Sequence, residues 1–577
     1  MLNEENGNKD FRMFPVALAM WVGCLLGKYF AKNQQNCVYS VVLYISLSLL
    51  LVFVLSVLDV KFFEVFKFIK RYNLLIILTS YAMIAAILLG FVHQIMLQND
   101  PVFRYANKNS NKIALVEASV VTPIRSAAPF LGDCKAKVEV RYLKNVGKDN
   151  AIDSSQILKS GISAQLYAYK PVCNKILYGS TIKGLARLKI SRFNSDIPEI
   201  TLLKTGSKFN ISKNADFVHY FANYMWNAFY KVTQELDEQG RMLVPGITVG
   251  MLGQEFVQTD ADFNSQDESE KSENAIDKTY AEITKQHFQH VGIMHIMAVS
   301  GGHFLLLALI VRRVCAYFLV PRFFTAFVQL ISQLLLAILV YPSASVLRAA
   351  FMGAVSAVAF AAKRPYQSAS ALSWTVILVL LVKPNYSWDY AFAFSCAATF
   401  GIITVGARIR KTFVVFMPDW LASILSMTFS AQIFTLPIQM MIQPEVSLMS
   451  VPANIVASPL MDIATLCGLI SLILACFSGG ISLIFAHFAA SATSIIEKCA
   501  SYLDDSSVGV FAWSKGVSGA FLMIITELTL AVIFIVIMRF LSKSYLFNNI
   551  QYASRIMAGS FKRKYSEALE IFDYDKK

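Results

Sequence analysis

Long apolar runs dominate the chain. Residues 14–31, 38–60 and 74–97 come first, and further runs follow at 289–311, 323–341, 343–362, 369–383, 389–407, 418–438, 448–476, 481–499 and 517–541. A hydrocarbon core about 30 Å thick takes about 20 helical residues to cross, so these runs predict a polytopic α-helical membrane protein of about twelve spans. Composition agrees, since 56% of residues are apolar and 16% charged, where soluble chains carry about 45–50% and about 25%. The run 369–383 is short, and 448–476 contains Pro452 and Pro459, which also fits a broken or re-entrant segment. The first run follows a mixed-charge segment and lacks a small-residue cleavage signal, so it reads as a retained span.

Charge sets the expected orientation. Residues 61–73 carry Lys61, Lys67, Lys70 and Arg71 against Glu64, the mark of a cytoplasmic loop. Both termini then lie inside and residues 98–215 emerge outside. The later crossings place Arg312, Arg313 and Arg322, then Lys363 and Arg364, then Arg408, Arg410 and Lys411, and finally Arg555, Lys562, Arg563 and Lys564 in the cytoplasm.

Residues 98–215 read as an exocytoplasmic all-β domain. Positions 135–142 alternate, with Ala136, Val138, Val140 and Tyr142 on one face and Lys135, Lys137, Glu139 and Arg141 on the other. Segments 113–121, 162–169 and 181–190 look similar, and glycines punctuate the turns. The segment holds 19 Lys+Arg against 8 Asp+Glu, an excess that fits an OB-like nucleic-acid-binding barrel or a solvated basic domain without a ligand. Cys134 and Cys173 are its two cysteines, and an isolated pair in an exocytoplasmic domain predicts a disulfide, the alternative being two thiols too far apart to bridge. Residues 216–232 are aromatic-rich and predict a helix lying at the membrane interface. The acidic stretch 255–282 reads as a disordered loop.

Intramembrane polar groups are costly and need a reason. Four of the seven histidines fall within 287–303. His287 and His290 have metal-ligand spacing but no third ligand in the sequence nearby, so no metal and no cofactor is expected. Ser300 within AVSG approximates the motif of rhomboid intramembrane proteases, with His487 or His303 as base, but lacks the first glycine and a carboxylate orienter. The other reading has Ser300, Gly301 and Gly302 letting a helix pack closely or unwind.

Several segments carry a family resemblance. Residues 291–303 (VGIMHIMAVSGGH) resemble the signature of the ComEC-type competence family, inner-membrane channels for DNA uptake. Residues 346–352 (VLRAAFM), 391–401 (AFAFSCAATFG) and 446–459 (VSLMSVPANIVASP) are similar to further family segments, in family order. Gly302 replaces the usual leucine, and the acidic stretch is longer than the pattern. The metal motif of the metallo-β-lactamase-like domain that ends many members does not occur, nor does a phosphate-binding Gly-rich loop with Lys-Ser/Thr. The resemblance implies a non-enzymatic conduit for single-stranded DNA in the inner (plasma) membrane. It organises the chain as helices over 1–97, β-domain 98–215, interfacial helix and acidic loop 216–288, channel domain 289–545 and cytoplasmic tail 546–577. Implied partners are single-stranded DNA, membrane lipid, a DNA-receptor protein and a cytoplasmic helicase or ATPase, and a homo-oligomer is compatible. His295, Ser300, Gly301, His303, Arg348, Asn454 and Pro459 are the expected path or its scaffold. Arg348 leads them, because a guanidinium at membrane depth must face a partner, water or a phosphate. The alternatives are a secondary transporter of a small anionic solute and an intramembrane hydrolase.

Overall fold

The computed structural model describes residues 10–33, 64–108, 113–127, 132–146, 152–191, 196–203, 209–257, 276–504 and 509–542. The expected span 38–60, the middle of the acidic stretch and the tail 546–577 lie outside them. Among the described residues, nine helices are long and apolar enough to cross a membrane. By contact the chain divides into two compact units. The first comprises Met1–Ile283, His295–Phe392 and Met461–Ile495, and the second Thr284–Met294, Ala393–Leu460 and Ile496–Lys577.

In the first unit, α1 (Phe14–Lys32) packs on α2 (Glu64–Asn99). The segment expected as a basic loop is helical from Glu64 onward, because no glycine or proline stands between there and Gly90 to stop the helix. The two helices meet backbone to backbone through Gly23, Gly27 and Gly90. A Cβ on Gly27 would lie 2.3 Å from the Ile87 carbonyl oxygen, and one on Gly90 would lie 2.7 Å from that of Cys24.

A short helix, α3 (Pro101–Lys108), leads into the barrel. Its strands are β1 (Ile113–Val120), β2 (Arg125–Ser126), β3 (Cys134–Val146), β4 (Ile152–Lys159), β5 (Ser163–Ala168), β6 (Thr181–Ile190), β7 (Pro198–Leu202) and β8 (Asn210–Lys213). Pairing runs β1-β3-β5-β7-β6, and β6 returns to β1, so five strands close a ring. All neighbours are antiparallel except β5 and β7. This is an OB-like barrel. Ala136, Val138 and Val140 face the core while Lys135, Lys137, Glu139 and Arg141 are exposed, as the alternation predicts. Tyr142 leaves that pattern. A bulge at Glu117/Ala118 shifts the register, and Tyr142 pairs outward with its hydroxyl on the Glu117 carboxylate. Burial and that carboxylate push the hydroxyl up to about 12.

A Cys134–Cys173 disulfide ties the start of β3 to α4 (Lys170–Cys173) across 39 residues. Replacing both cysteines by serine is expected to destabilise the barrel by roughly 4 kcal/mol in the chain-entropy model. Chemical denaturation of the full chain, followed with a barrel-specific probe, checks this. An unchanged midpoint would refute it.

Helices α5 (Phe217–Thr233) and α6 (Glu238–Val249) follow. They bury Met225, Trp226, Phe229, Tyr230, Val244 and Val249 against Leu472, Ala486 and Ala489. The stretch expected to be disordered ends in order, since α7 (Lys278–His290) begins inside it.

The run 289–311 is not one span. α7 stops at His290, Gly292 adopts φ 77°, Met294–Met297 form a 3-10 turn, and α8 (Gly301–Tyr317) starts afresh. The left-handed glycine ends one helix and the Ser300 cap opens the next. Thereafter α9 (Arg322–Leu339), α10 (Ala344–Ala361) and the short α11 (Ser368–Val382) follow the predicted runs. So does α12 (Tyr390–Gly401), which passes through a π turn at Ile402–Gly406 into α13 (Ala407–Phe413). α14 (Asp419–Ile442) comes next. α15 (Ser450–Leu474) is continuous through Pro459, with no break or re-entrance. α16 (Gly479–Asp504) and α17 (Val517–Ser542) complete the set. In the second unit β9 (Glu445–Ser447) pairs with β10 (Val510–Ala512), and α14 packs on α17.

Candidate functional site

The residues opening α8 form a buried polar cluster. The Ser300 hydroxyl accepts from the Gly302 N–H at 3.3 Å, and His303 Nδ1 accepts from the Ser300 N–H at 3.3 Å, closing a reciprocal cap. The other ring nitrogen, Nε2, lies 2.9 Å from the Ile247 carbonyl oxygen and 3.3 Å from the Thr465 hydroxyl. A nitrogen facing an N–H must accept and one facing a carbonyl must donate, so the geometry assigns the neutral Nε2–H tautomer. That tautomer uses Nδ1 to cap α8 and Nε2 to hold it to α6 and α15. Ser300 Oγ stands 3.4 Å from Nδ1, but what faces Nε2 is a carbonyl and a hydroxyl, where a hydrolytic triad would place a carboxylate.

Arg348 completes the cluster from α10. It is buried, and a Cβ at Gly301 would lie 2.8 Å from its Nη2. Glycine at 301 is what lets the guanidinium reach the first turn of α8. Nearby, the Ser345 hydroxyl donates to the Val299 carbonyl at 3.0 Å. The guanidinium adds a buried positive charge beside the positive end of the α8 dipole, where an anion would be favoured.

The end of α6 links this cluster to the barrel. The last carbonyls of a helix lack partners within it, and here three separate elements supply them. His303 reaches Ile247 O, the Tyr341 N–H donates to Val249 O at 2.8 Å, and Arg125 Nη2 donates to Gly250 O at 2.9 Å. Arg125 belongs to the β1–β3 connection. It also pairs with Glu255 at 3.3 Å and lies over the Tyr341 ring at 3.2 Å. The β6–β7 connection docks as well, through Asp196 to Lys28, to Lys32 at 3.3 Å and to Gln94 at 3.3 Å. Burial opposes the Asp196 charge, yet the Lys28 hydrogen bond and both lysine charges hold its carboxyl below the usual carboxylate range. A depressed value means this docking is fully present above the ordinary aspartate pKa and is lost as pH falls through the folded one.

Of the sequence-predicted residues, the structure brings Ser300, Gly301, His303 and Arg348 together. His295 is exposed in the 3-10 turn, and Asn454 and Pro459 belong to the second unit, where Asn454 donates to the Ser450 carbonyl of its own helix at 2.7 Å. Ile247, Thr465, Ser345 and Arg125 were not predicted. The partner that His287 and His290 lacked in sequence is Asp504, 3.8 and 3.1 Å away. Even so, among the described residues no group of three or more His, Cys, Asp or Glu is placed to hold a metal ion.

Residues 277–540 match the family described as Competence protein. Over 119 residues the chain is 33% identical to an uncharacterized protein of Aquifex aeolicus (strain VF5), covering 20% of this chain and 28% of that one. Over 193 residues it is 25% identical to ComE operon protein 3 of Bacillus subtilis (strain 168), covering 32% of this chain and 23% of that one. The matched stretches thus span about a quarter of the length of these relatives. No solved structure matches the chain.

Proposed function

We propose that this ComEC-type membrane protein serves DNA uptake during competence, passing single-stranded DNA from the barrel inward through its helical domain. The observation that carries the reading is Arg348 set against the opening of α8, where neighbouring His303 holds the Ile247 carbonyl, three residues before the Gly250 carbonyl that anchors the barrel's Arg125. A strand held on the barrel would thus meet a buried phosphate-binding cation next. The span α9 supports the expected orientation. As a span, it would put its Arg322 end and its Leu339 end on opposite sides of the membrane, and the barrel's Arg125 packs by the Leu339 end, on Tyr341. The basic residues Arg312, Arg313 and Arg322 would then be cytoplasmic and the barrel exocytoplasmic. A small anion would also suit Arg348, but the barrel's surplus of 19 basic over 8 acidic residues suits a polymer.

Two measurements test this. Labelled-DNA uptake should return to a deletion strain complemented with this chain, and no uptake would sink the reading. In nanodiscs, the full chain should bind single-stranded DNA about 20- to 50-fold more weakly at 200 mM than at 50 mM salt, the counterion release expected from three or four phosphate contacts. Binding indifferent to salt would take the barrel's basic face out of the path.

A further inference from the structure

Helix α5 buries one face and leaves the other bare. Phe217 (81% exposed), Tyr220, Phe221 and Tyr224 project from the protein. Their spacing of three, four and seven residues makes one stripe along the helix. The buried side fixes the depth of that stripe, because Trp226 Nε1 donates to the Leu339 carbonyl at 2.7 Å. Leu339 is the last residue of α9, a helix long enough to cross the membrane. At the far end of the same helix, Phe323 and Phe324 are exposed beside Arg322, the aromatic and basic pattern of a membrane boundary. Helix α5 therefore sits at the opposite boundary, level with the end of a span.

We propose that Phe217, Tyr220, Phe221 and Tyr224 are seated in the headgroup–acyl boundary of the leaflet on the barrel's side, so that α5 is the lipid-bound footing of the barrel. The chemistry of the stripe favours lipid over nucleic acid. Platforms for single strands interleave rings with cations, whereas no Lys or Arg occurs between Lys213 and Lys231. Phenyl rings mixed with tyrosine hydroxyls, apolar in body and wet at the tip, suit an interface. The inference rests on the chain being a membrane protein and does not depend on its carrying DNA.

The test replaces Tyr220, and separately Tyr224, with p-benzoylphenylalanine in the full chain. Irradiation in nanodiscs of phosphatidylethanolamine and phosphatidylglycerol is followed by mass spectrometry. Phospholipid adducts are expected at both positions and none at Ile157, an exposed barrel position given the same substitution. Adding single-stranded DNA beforehand should leave the lipid yield unchanged. Adducts to DNA or to a second protein chain, or no lipid adduct at either position, would overturn the proposal.

Discussion

Arg348→Ala is expected to abolish uptake of labelled DNA while the protein still reaches the membrane. A guanidinium can hold a phosphate through two parallel charge-assisted bonds, and at about 1.5–3 kcal/mol each their loss lowers transport by at least about 100-fold. Arg348→Lys keeps the charge but not the fork, so only part of the activity should return. Gly301→Ala offers an independent check. Its Cβ would stand 2.8 Å from Nη2, displacing the guanidinium without removing it, and uptake should fall with Arg348 still present. All three are read as uptake per folded protein. Normal uptake by Arg348→Ala would exclude a role in the path, and a loss tracking protein level alone would make the residue a packing element.

Gly27→Leu should leave no folded protein to assay. The seam between α1 and α2 admits no side chain, since a Cβ at Gly27 would stand 2.3 Å from Ile87 O and 2.8 Å from Phe91 N. Both are backbone atoms and cannot swing aside, so the helices must separate and forfeit their contact along the whole seam. The loss extends to the barrel, whose Asp196 docks on Lys28 and Lys32 of α1. Fluorescence-detected gel filtration after detergent extraction should show aggregate in place of the monodisperse peak of the parent. A normal peak would mean that the two helices do not pack as described.

What the sequence revealed depended on whether the signal was local. Spans announce themselves by length, and β3 by strict alternation, so both were legible. Strand β7 (PEITL) and strand β8 (NISK) are too short for a period to emerge, and β4 (IDSSQILK) does not alternate. The interruption between α7 and α8 was hidden for another reason. Hydropathy registers the apolar character of residues 291–299 but is blind to the left-handed φ of Gly292 and to the Ser300 cap that divide them. The site was half legible. Ser300, Gly301 and His303 are neighbours in the chain and Arg348 stands out as a buried charge. The partners of His303 lie 56 and 162 residues away, and only folding makes a backbone carbonyl and one threonine among many into members of the site. Arg125 gave no signal, being one of many basic residues on a basic domain.

The end of α6 makes the barrel hard to exchange. A domain joined by a flexible tether can be traded between relatives as a cassette, but here Arg125 of strand β2 caps the same helix end that holds His303 and Tyr341. A chimera carrying a foreign barrel without an arginine at that place would leave the Gly250 carbonyl facing the membrane domain without its donor. The defect would surface in the helical half, although every residue there was native. Barrels and helical domains of this design should therefore diverge together, and successful hybrids will be those that carry the β1–β3 connection over with the helices it meets.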